Sequence, residues 1–142
     1  NAAQYLAYFY IIGVNNNDFI WFGVNLFDSR GLQDTYWNAD TAGSSNMIYT
    51  VSTADTYGCV LKSLNRFGKP YVSDKWTHIK LDLTPHIKNM IAKANETMLF
   101  GRTVKAEDFY IGGNNIGFEI HGNYDCTVDI KNYEMTSYLK KS

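Results

Sequence analysis

Two residues near the C-terminal end have side chains suited to acid–base chemistry. Glu119 and His121 stand two positions apart in the stretch FYIGGNNIGFEIHGNYD, residues 109–125. A carboxylate and an imidazole so placed can transfer protons, or can instead hydrogen-bond a polar ligand from the surface of a strand. Because side chains alternate across a strand, we expect both on one face, with Phe118 and Ile120 on the other. The sequence therefore poses a choice between a catalytic face and a binding face.

A catalytic role for Glu119 requires a partner. A glycosidase needs a second carboxylate at about 5 to 5.5 Å for retention or about 6.5 to 9.5 Å for inversion. The chain lacks the E-x-D-x-E pattern of jelly-roll glucanases and a G-x-S-x-G nucleophile motif, and His78, His86 and His121 are scattered. We therefore predict no catalytic residue; the alternative is a glycoside hydrolase or polysaccharide lyase with Glu119 as acid or base.

Two further segments place aromatic rings beside polar groups. In DFIWFGVNLFD, alternation puts Trp21 and Asn25 on one face, and in WTHIKLDL it turns Trp76 and His78 outward. A ring can cover the apolar face of a pyranose while neighbouring polar groups bond its hydroxyls. If these faces adjoin that of Glu119, they form a groove suited to a glycan.

The segment 28–45, DSRGLQDTYWNADTAGSS, is predicted to be a long polar loop, a kind of segment that often carries function. Tyr36 and Trp37 would stack on sugar rings there, and Arg30 would pair with a uronic carboxylate. Equally, Trp37 would cover the edge of the fold. Its Asp and Asn residues could ligate calcium through oxygen, although they lack the spacing of an EF-hand.

Composition and charge narrow the function classes. The 142 residues fit one domain, 1–142, and the 13 basic and 14 acidic side chains give no basic footprint for nucleic acid. No apolar run is long enough to insert in a membrane. Because the chain begins at Asn1 without a Met or a signal peptide, we expect a processed piece of a longer protein.

The hydrophobic pattern predicts an all-β fold, an antiparallel β-sandwich of jelly-roll type with one short helix. The 22 aromatic residues and period-2 alternation favour strands. A helix is expected over 85–95, with Thr84 as N-cap, Pro85 at the first helical position and an apolar stripe of Ile87, Met90, Ile91 and Ala94. The predicted strands are 4–13, 18–28, 46–53, 57–64, 76–83, 97–100, 107–112, 115–121 and 125–138.

The same alternation predicts the core and the state of the cysteines. Cys126 shares a face with Val128 and Ile130, so we expect Cys59 and Cys126 to be free thiols, although one disulfide would also be possible. The side chains expected to be buried are Ile20, Phe22, Val24, Leu26, Ile79, Leu81, Ile116, Phe118, Ile120, Val128 and Ile130.

The motif W-x-x-x-x-x-D-L, a short helix and the motif I-G-G-x-N-x-G-x-E-x-x-G follow one another within residues 76–138. This arrangement resembles the C-terminal half of bacterial β-sandwich modules that accompany secreted polysaccharide-degrading enzymes. The resemblance implies a jelly-roll, galactose-binding-like or lectin-like sandwich that binds glycan, often with one structural calcium. It also implies an extracellular location and a covalently attached catalytic domain.

These observations together predict a non-catalytic carbohydrate-binding module that brings an attached enzyme to a plant or microbial polysaccharide. A structural or adhesive domain without a small ligand is a third possibility. The residues expected to contact the glycan are Trp21, Asn25, Arg30, Tyr36, Trp37, Trp76, His78, Glu119 and His121.

Overall fold

A computed structural model describes residues 2–28, 35–41, 43–52, 76, 78–122 and 127–137. Its elements are β1 Ala2–Gly13, β2 Phe19–Asp28, β3 Tyr36–Ala39, β4 Met47–Ser52, α1 Leu83–Glu96, a 3₁₀ turn Ala106–Asp108 and β5 Phe109–His121. The predicted β-rich fold with one helix is confirmed, as are the strands at 4–13, 18–28 and 46–53.

The five strands form one mixed sheet in the order β3-β4-β2-β1-β5. β1 pairs antiparallel with both β2 and β5, whereas β2 and β4 are parallel. This parallel pair departs from the antiparallel prediction. It arises because the chain passes from β2 to the outer strand β3, and the β3–β4 hairpin then brings β4 back between β3 and β2.

One surface of the sheet, here called the helix face, packs against α1. Met90, Ile91 and Ala94 of α1 belong to the same core cluster as Phe9 and Phe22 of the sheet. Burying a side chain such as Phe22 stabilises the fold by roughly 1.5 to 3 kcal/mol. The other buried sheet residues of this cluster are Ala7, Ile11, Ile20, Val24, Tyr49 and Val51.

The predicted core is confirmed for Ile20, Phe22 and Val24. Leu26, Ile79, Leu81, Ile116 and Phe118 are only half-buried. The prediction is wrong for three further residues, because β5 lies at the edge of the sheet and residues 127–137 form no strand. These are Ile120, Val128 and Ile130, which are 41%, 43% and 50% exposed.

The helix begins earlier than predicted. Asp82, and not Thr84, is the N-cap: its Oδ1 accepts a hydrogen bond from the Thr84 backbone N–H at 2.9 Å. This bond, aided by the positive charge of His86 and Lys88, holds the pKa of the Asp82 carboxyl below its usual range. Pro85 lies in the first helical turn, where a missing N–H costs no intrahelical bond.

The turn after α1 leads the chain back to the sheet. Residues 97–100 form this turn and not the predicted strand. Asn95 fixes the returning segment, because its Nδ2 donates to the Val104 carbonyl at 2.9 Å and its Oδ1 accepts from the Val104 N–H at 2.8 Å. The chain then enters β5, which unites the predicted strands 107–112 and 115–121, apart from residues 107 and 108 in the 3₁₀ turn.

Two other strand predictions fail in the described part of the chain. Residues 76 and 78–82 are not in a strand, because they lead into α1, and residues 127–137 are exposed and irregular. β3 was missed, since it lies inside the predicted loop 28–45. The predicted strand 57–64, Cys59 and Cys126 lie outside the described residues. No helix within the described ranges is long and apolar enough to cross a bilayer.

Candidate functional site

The surface opposite α1, here called the tyrosine face, carries a row of residues across four strands. Tyr8 of β1 is paired with Gly23 of β2, Gly23 with Thr50 of β4, and Thr50 with Tyr36 of β3. Side chains of a row project from the same face of a sheet. Further residues on this face, by register and alternation, are Gln4, Tyr10, Trp21, Asn25, Asn115, Gly117 and Glu119.

The missing side chain of Gly23 gives the Tyr8 ring its place. A Cβ on Gly23 would lie 2.8 Å from Tyr8 Cε1 and 2.7 Å from Thr50 Oγ1, both closer than real Cβ contacts allow. The ring of Tyr8 therefore packs closely against β2 at Gly23. Glycine serves here for close approach rather than for a turn.

The Tyr8 hydroxyl is influenced by residues of both edge strands. It lies within hydrogen-bonding reach of the Glu119 carboxylate on β5 and of the Tyr36 hydroxyl on β3. Burial, followed by the nearby Glu119 and Tyr36, raises the pKa of Tyr8 well above its usual 10. Tyr8 therefore stays protonated, and its neutral hydroxyl lies near one acidic side chain, Glu119, and a second phenol, Tyr36.

Beside this polar group lies a cluster of aromatic rings. Trp21 contacts Tyr10, Phe19 and Tyr8 edge-on, with ring centroids 4.8, 5.0 and 5.8 Å apart. The indole N–H of Trp21 donates to Ser44 Oγ at 3.4 Å, which holds the ring against the β3–β4 hairpin. Edge-to-face contacts of this kind fix ring orientations. The cluster thus presents a pre-ordered, half-buried Trp21 next to hydrogen-bonding groups.

A second row brings two carboxylates to the same end of the face. Gln4 of β1 is paired with Glu119 on one side and with Asp28 on the other, and its Nε2 donates to Asp28 Oδ2 at 2.7 Å. A bulge in β2 places Asp28 on this face. Tyr5 is paired with Phe27 but Leu6 with Asn25, so one residue of β2 is extra and alternation is reversed beyond it.

Trp37 lies on the opposite surface from Tyr36. Its ring is half-buried and meets the ring of Tyr49 at 6.2 Å, as part of the helix-face core. Beside it, between β3 and α1, is an open cleft of about 320 Å³. The polar residues lining this cleft include Asn89, Lys93 and Glu96, and Lys93 Nζ binds Glu96 Oε1 at 2.9 Å.

The predicted site residues thus fall into separate groups. The structure brings Trp21, Tyr36 and Glu119 onto one face, where the ring of Tyr8 contacts Trp21 and where Glu119 and Tyr36 help to raise the pKa of Tyr8. Asn25 shares that face, but it is only 3% exposed and lies beneath the surface. His121 is exposed at the end of β5, two positions beyond Glu119.

The remaining predicted residues are not joined to this face. Trp76 is 69% exposed and His78 is exposed, and both precede α1. Among the described contacts, none connects them to Trp21 or Glu119. Arg30 lies outside the described residues.

Sequence reasoning missed Tyr8 and Tyr10, which build most of the observed arrangement. The signal was present in YLAYFYII, where these two rings alternate with Phe9 and Ile11. Asp28 was also missed, because strict alternation along β2 assigns it to the core face.

The described residues contain no group of three or more His, Cys, Asp or Glu side chains that could hold a metal ion. The calcium hypothesis therefore gains no ligands from this part of the chain. Comparisons with protein-family models, curated proteins and solved structures find no match for this chain.

Proposed function

We propose that this protein is a non-catalytic carbohydrate-binding module of a jelly-roll-type sandwich, which binds polysaccharide and brings an attached extracellular enzyme to it. The observation that carries the proposal is the tyrosine face. There a pre-ordered cluster around Trp21 adjoins the hydroxyls of Tyr8 and Tyr36 and the Glu119 carboxylate. A sugar offers an apolar C–H face and a rim of hydroxyls, and these groups complement both.

In the proposed complex, a pyranose stacks on the exposed part of Trp21. Glu119 accepts hydrogen bonds from sugar hydroxyls, while Tyr36 donates or accepts. Trp37 in the cleft beside α1 and Trp76 ahead of α1 are candidates for separate contacts along an extended polymer.

A panel of polysaccharides, assayed for both retention and released reducing sugar, tests this function. Trp21→Ala is expected to lower affinity at least about tenfold, as truncation of a stacking anchor does. Phe109→Ala is the control, since it removes a half-buried ring that packs against the helix-face core and is not placed in the proposed site. Retention of no polysaccharide would overturn the proposal and favour a structural or adhesive domain.

A second candidate function, glycoside hydrolysis, is favoured by one observation. Asp28 and Glu119 flank Gln4, two strand spacings or about 9.5 Å apart at the main chain. Carboxyl groups of an inverting pair are separated by about 6.5 to 9.5 Å. However, Gln4 stands between them and binds Asp28, where an attacking water would have to lie. Binding is therefore the better-supported function, and sugar release that is lost in Glu119→Gln would reverse this preference.

A further inference from the structure

The outer side of β5 is an open sheet edge in the described part of the chain. β5 stands last in the sheet and pairs with β1 alone, so its outward N–H and C=O groups have no strand partner there. It has 13 residues without a Lys or Pro, and its bulge at Gly112 leaves residues 113–121 regular. Natural proteins usually shorten, charge or cover such an edge, because it pairs readily with another strand. A segment that covers β5 is therefore expected.

Residues 127–137, here called the strap, reach this edge. The side-chain amide of Asn114 in β5 donates a hydrogen bond to the hydroxyl of Tyr133 in the strap. Asn114 is paired with Phe9, so this contact is made on the helix face. Only five residues, 122–126, connect β5 to the strap, which is a length common in β-hairpins. The contact thus lies where the second strand of a hairpin with β5 would run.

The backbone of Asn132 interrupts this arrangement. Its φ is 55°, in the left-handed region, so the strap bends there and does not continue as extended chain. Within the ranges that the structure describes, no backbone–backbone hydrogen bond joins the strap to another segment. Asn enters the left-handed region more easily than most residues, and it can also be extended. The apolar side chains of the strap that stay exposed are Val128, Ile130, Tyr133 and Met135.

We propose that the strap has two states, and that a change of Asn132 to an extended backbone docks it on β5 as a sixth, antiparallel strand. With Tyr133 kept opposite Asn114, Ile130 falls opposite Gly117 in the docked state. A Cβ on Gly117 would meet nothing within 4 Å, so the space beside it can take the Ile130 side chain. Docking pairs the open edge and covers apolar surface, which offsets the entropy lost in ordering the strap.

Amide hydrogen exchange of the full chain, followed by NMR, tests this inference with two substitutions at one position. Asn132→Val disfavours the left-handed backbone, which a β-branched residue rarely adopts. It is expected to slow exchange of the outward amides of β5 about tenfold relative to wild type. Asn132→Gly is the matched control, since glycine adopts the left-handed backbone freely, and it should speed exchange of the same amides. The inward amides of β5, which bond to β1, are the internal reference.

Nuclear Overhauser contacts between residues 130 and 117 are expected in Asn132→Val, because they report the docked register. Outward amides that exchange equally fast in all three proteins would rule out the docked state. Slow exchange that depends on protein concentration would also contradict the proposal, since it would assign the edge to a second copy of the chain. Neither result changes the glycan assays, so the proposed function is tested separately.

Discussion

At the scale of single residues, the tyrosine face depends on the absence of a side chain at Gly23. A glycine there lets the Tyr8 ring pack against β2, and Glu119 and Tyr36 then both act on the pKa of its hydroxyl. The same position would suit a β-branched residue if only strand propensity mattered. Gly23 lowers the propensity of this segment to form a strand, but it leaves the space that the Tyr8 ring occupies.

Replacing Gly23 with Ala is expected to displace the Tyr8 ring and the Thr50 side chain. Both obstructing atoms belong to side chains, so the fold should survive with a loss of about 1 to 3 kcal/mol in the free energy of unfolding. Urea denaturation measures this loss. Gly117→Ala is the control on the same face, since its added Cβ meets nothing within 4 Å. Equal effects of both substitutions would contradict the assigned packing.

The raised pKa of Tyr8 makes stability depend on alkaline pH. The folded state favours neutral Tyr8, so its contribution is complete below pH 10 and is lost as the pH rises above that value. Tyr8→Phe is expected to reduce the fall in unfolding free energy above pH 10. Denaturation measured as a function of pH will show this change. An unchanged slope in Tyr8→Phe would refute the placement of its hydroxyl.

The exposure of Trp76 distinguishes a role of its ring in binding glycan from a role in the hydrophobic core. Because its side chain is 69% exposed, Trp76→Ala is expected to leave the melting temperature unchanged. If Trp76 stacks on glycan, affinity falls roughly tenfold in the same variant. Phe22→Ala is the core control, since that ring is fully buried and its loss costs about 3 to 5 kcal/mol. A melt far below wild type for Trp76→Ala would show that the ring is part of the core.

At the scale of elements, α1 is a helix whose start is defined by one carboxylate. Its apolar stripe was predictable because Met90, Ile91 and Ala94 recur at helical spacing. Its first residue was not, because Asp82 and Thr84 are both good caps and sequence alone does not choose between them. Because Asp82 is the N-cap, the helix begins two residues earlier than predicted. The stability of the helix then depends on the ionisation of this carboxyl group.

Asp82 is expected to stabilise α1 only while it is ionised. Its pKa is lowered in the folded state, so the stabilisation is present above the unfolded pKa and is lost as the pH falls through the folded pKa. Asp82→Ala should lower the melting temperature at neutral pH, with a difference from wild type that shrinks in acid. Asp82→Asn should keep a cap but lose this pH dependence. Circular dichroism melts would check both, and a constant difference would argue against Asp82 as the cap.

At the scale of the whole molecule, alternation predicted the strands inside the sheet and most of the edge strand β5, but it missed the other edge strand, β3. β1, β2 and β4 were found because buried neighbours on both sides enforce a strict apolar period. β3 is an edge strand of four residues in a polar segment, with too few positions to show a period. The bulge in β2 moves Asp28 to the opposite face from the one that strict alternation predicts. The sequence pattern therefore could not place Asp28 on the same face as Glu119. Half of the site was therefore predictable, namely Trp21, Tyr36 and Glu119.

The pairing of β1 with β5 bears on the order in which the molecule can assemble. The ladder joins Ala2 to His121, so almost the entire described chain must be synthesised before β1 has both neighbours. β1 and β2 are close in sequence and can associate early, whereas closure of a very long loop delays the β5 ladder. During synthesis on the ribosome, β1 therefore lacks its neighbour β5 until β5 has been made. Glu119 therefore joins Tyr8 only at the end of folding, and a truncated chain would carry the aromatic cluster without its carboxylate.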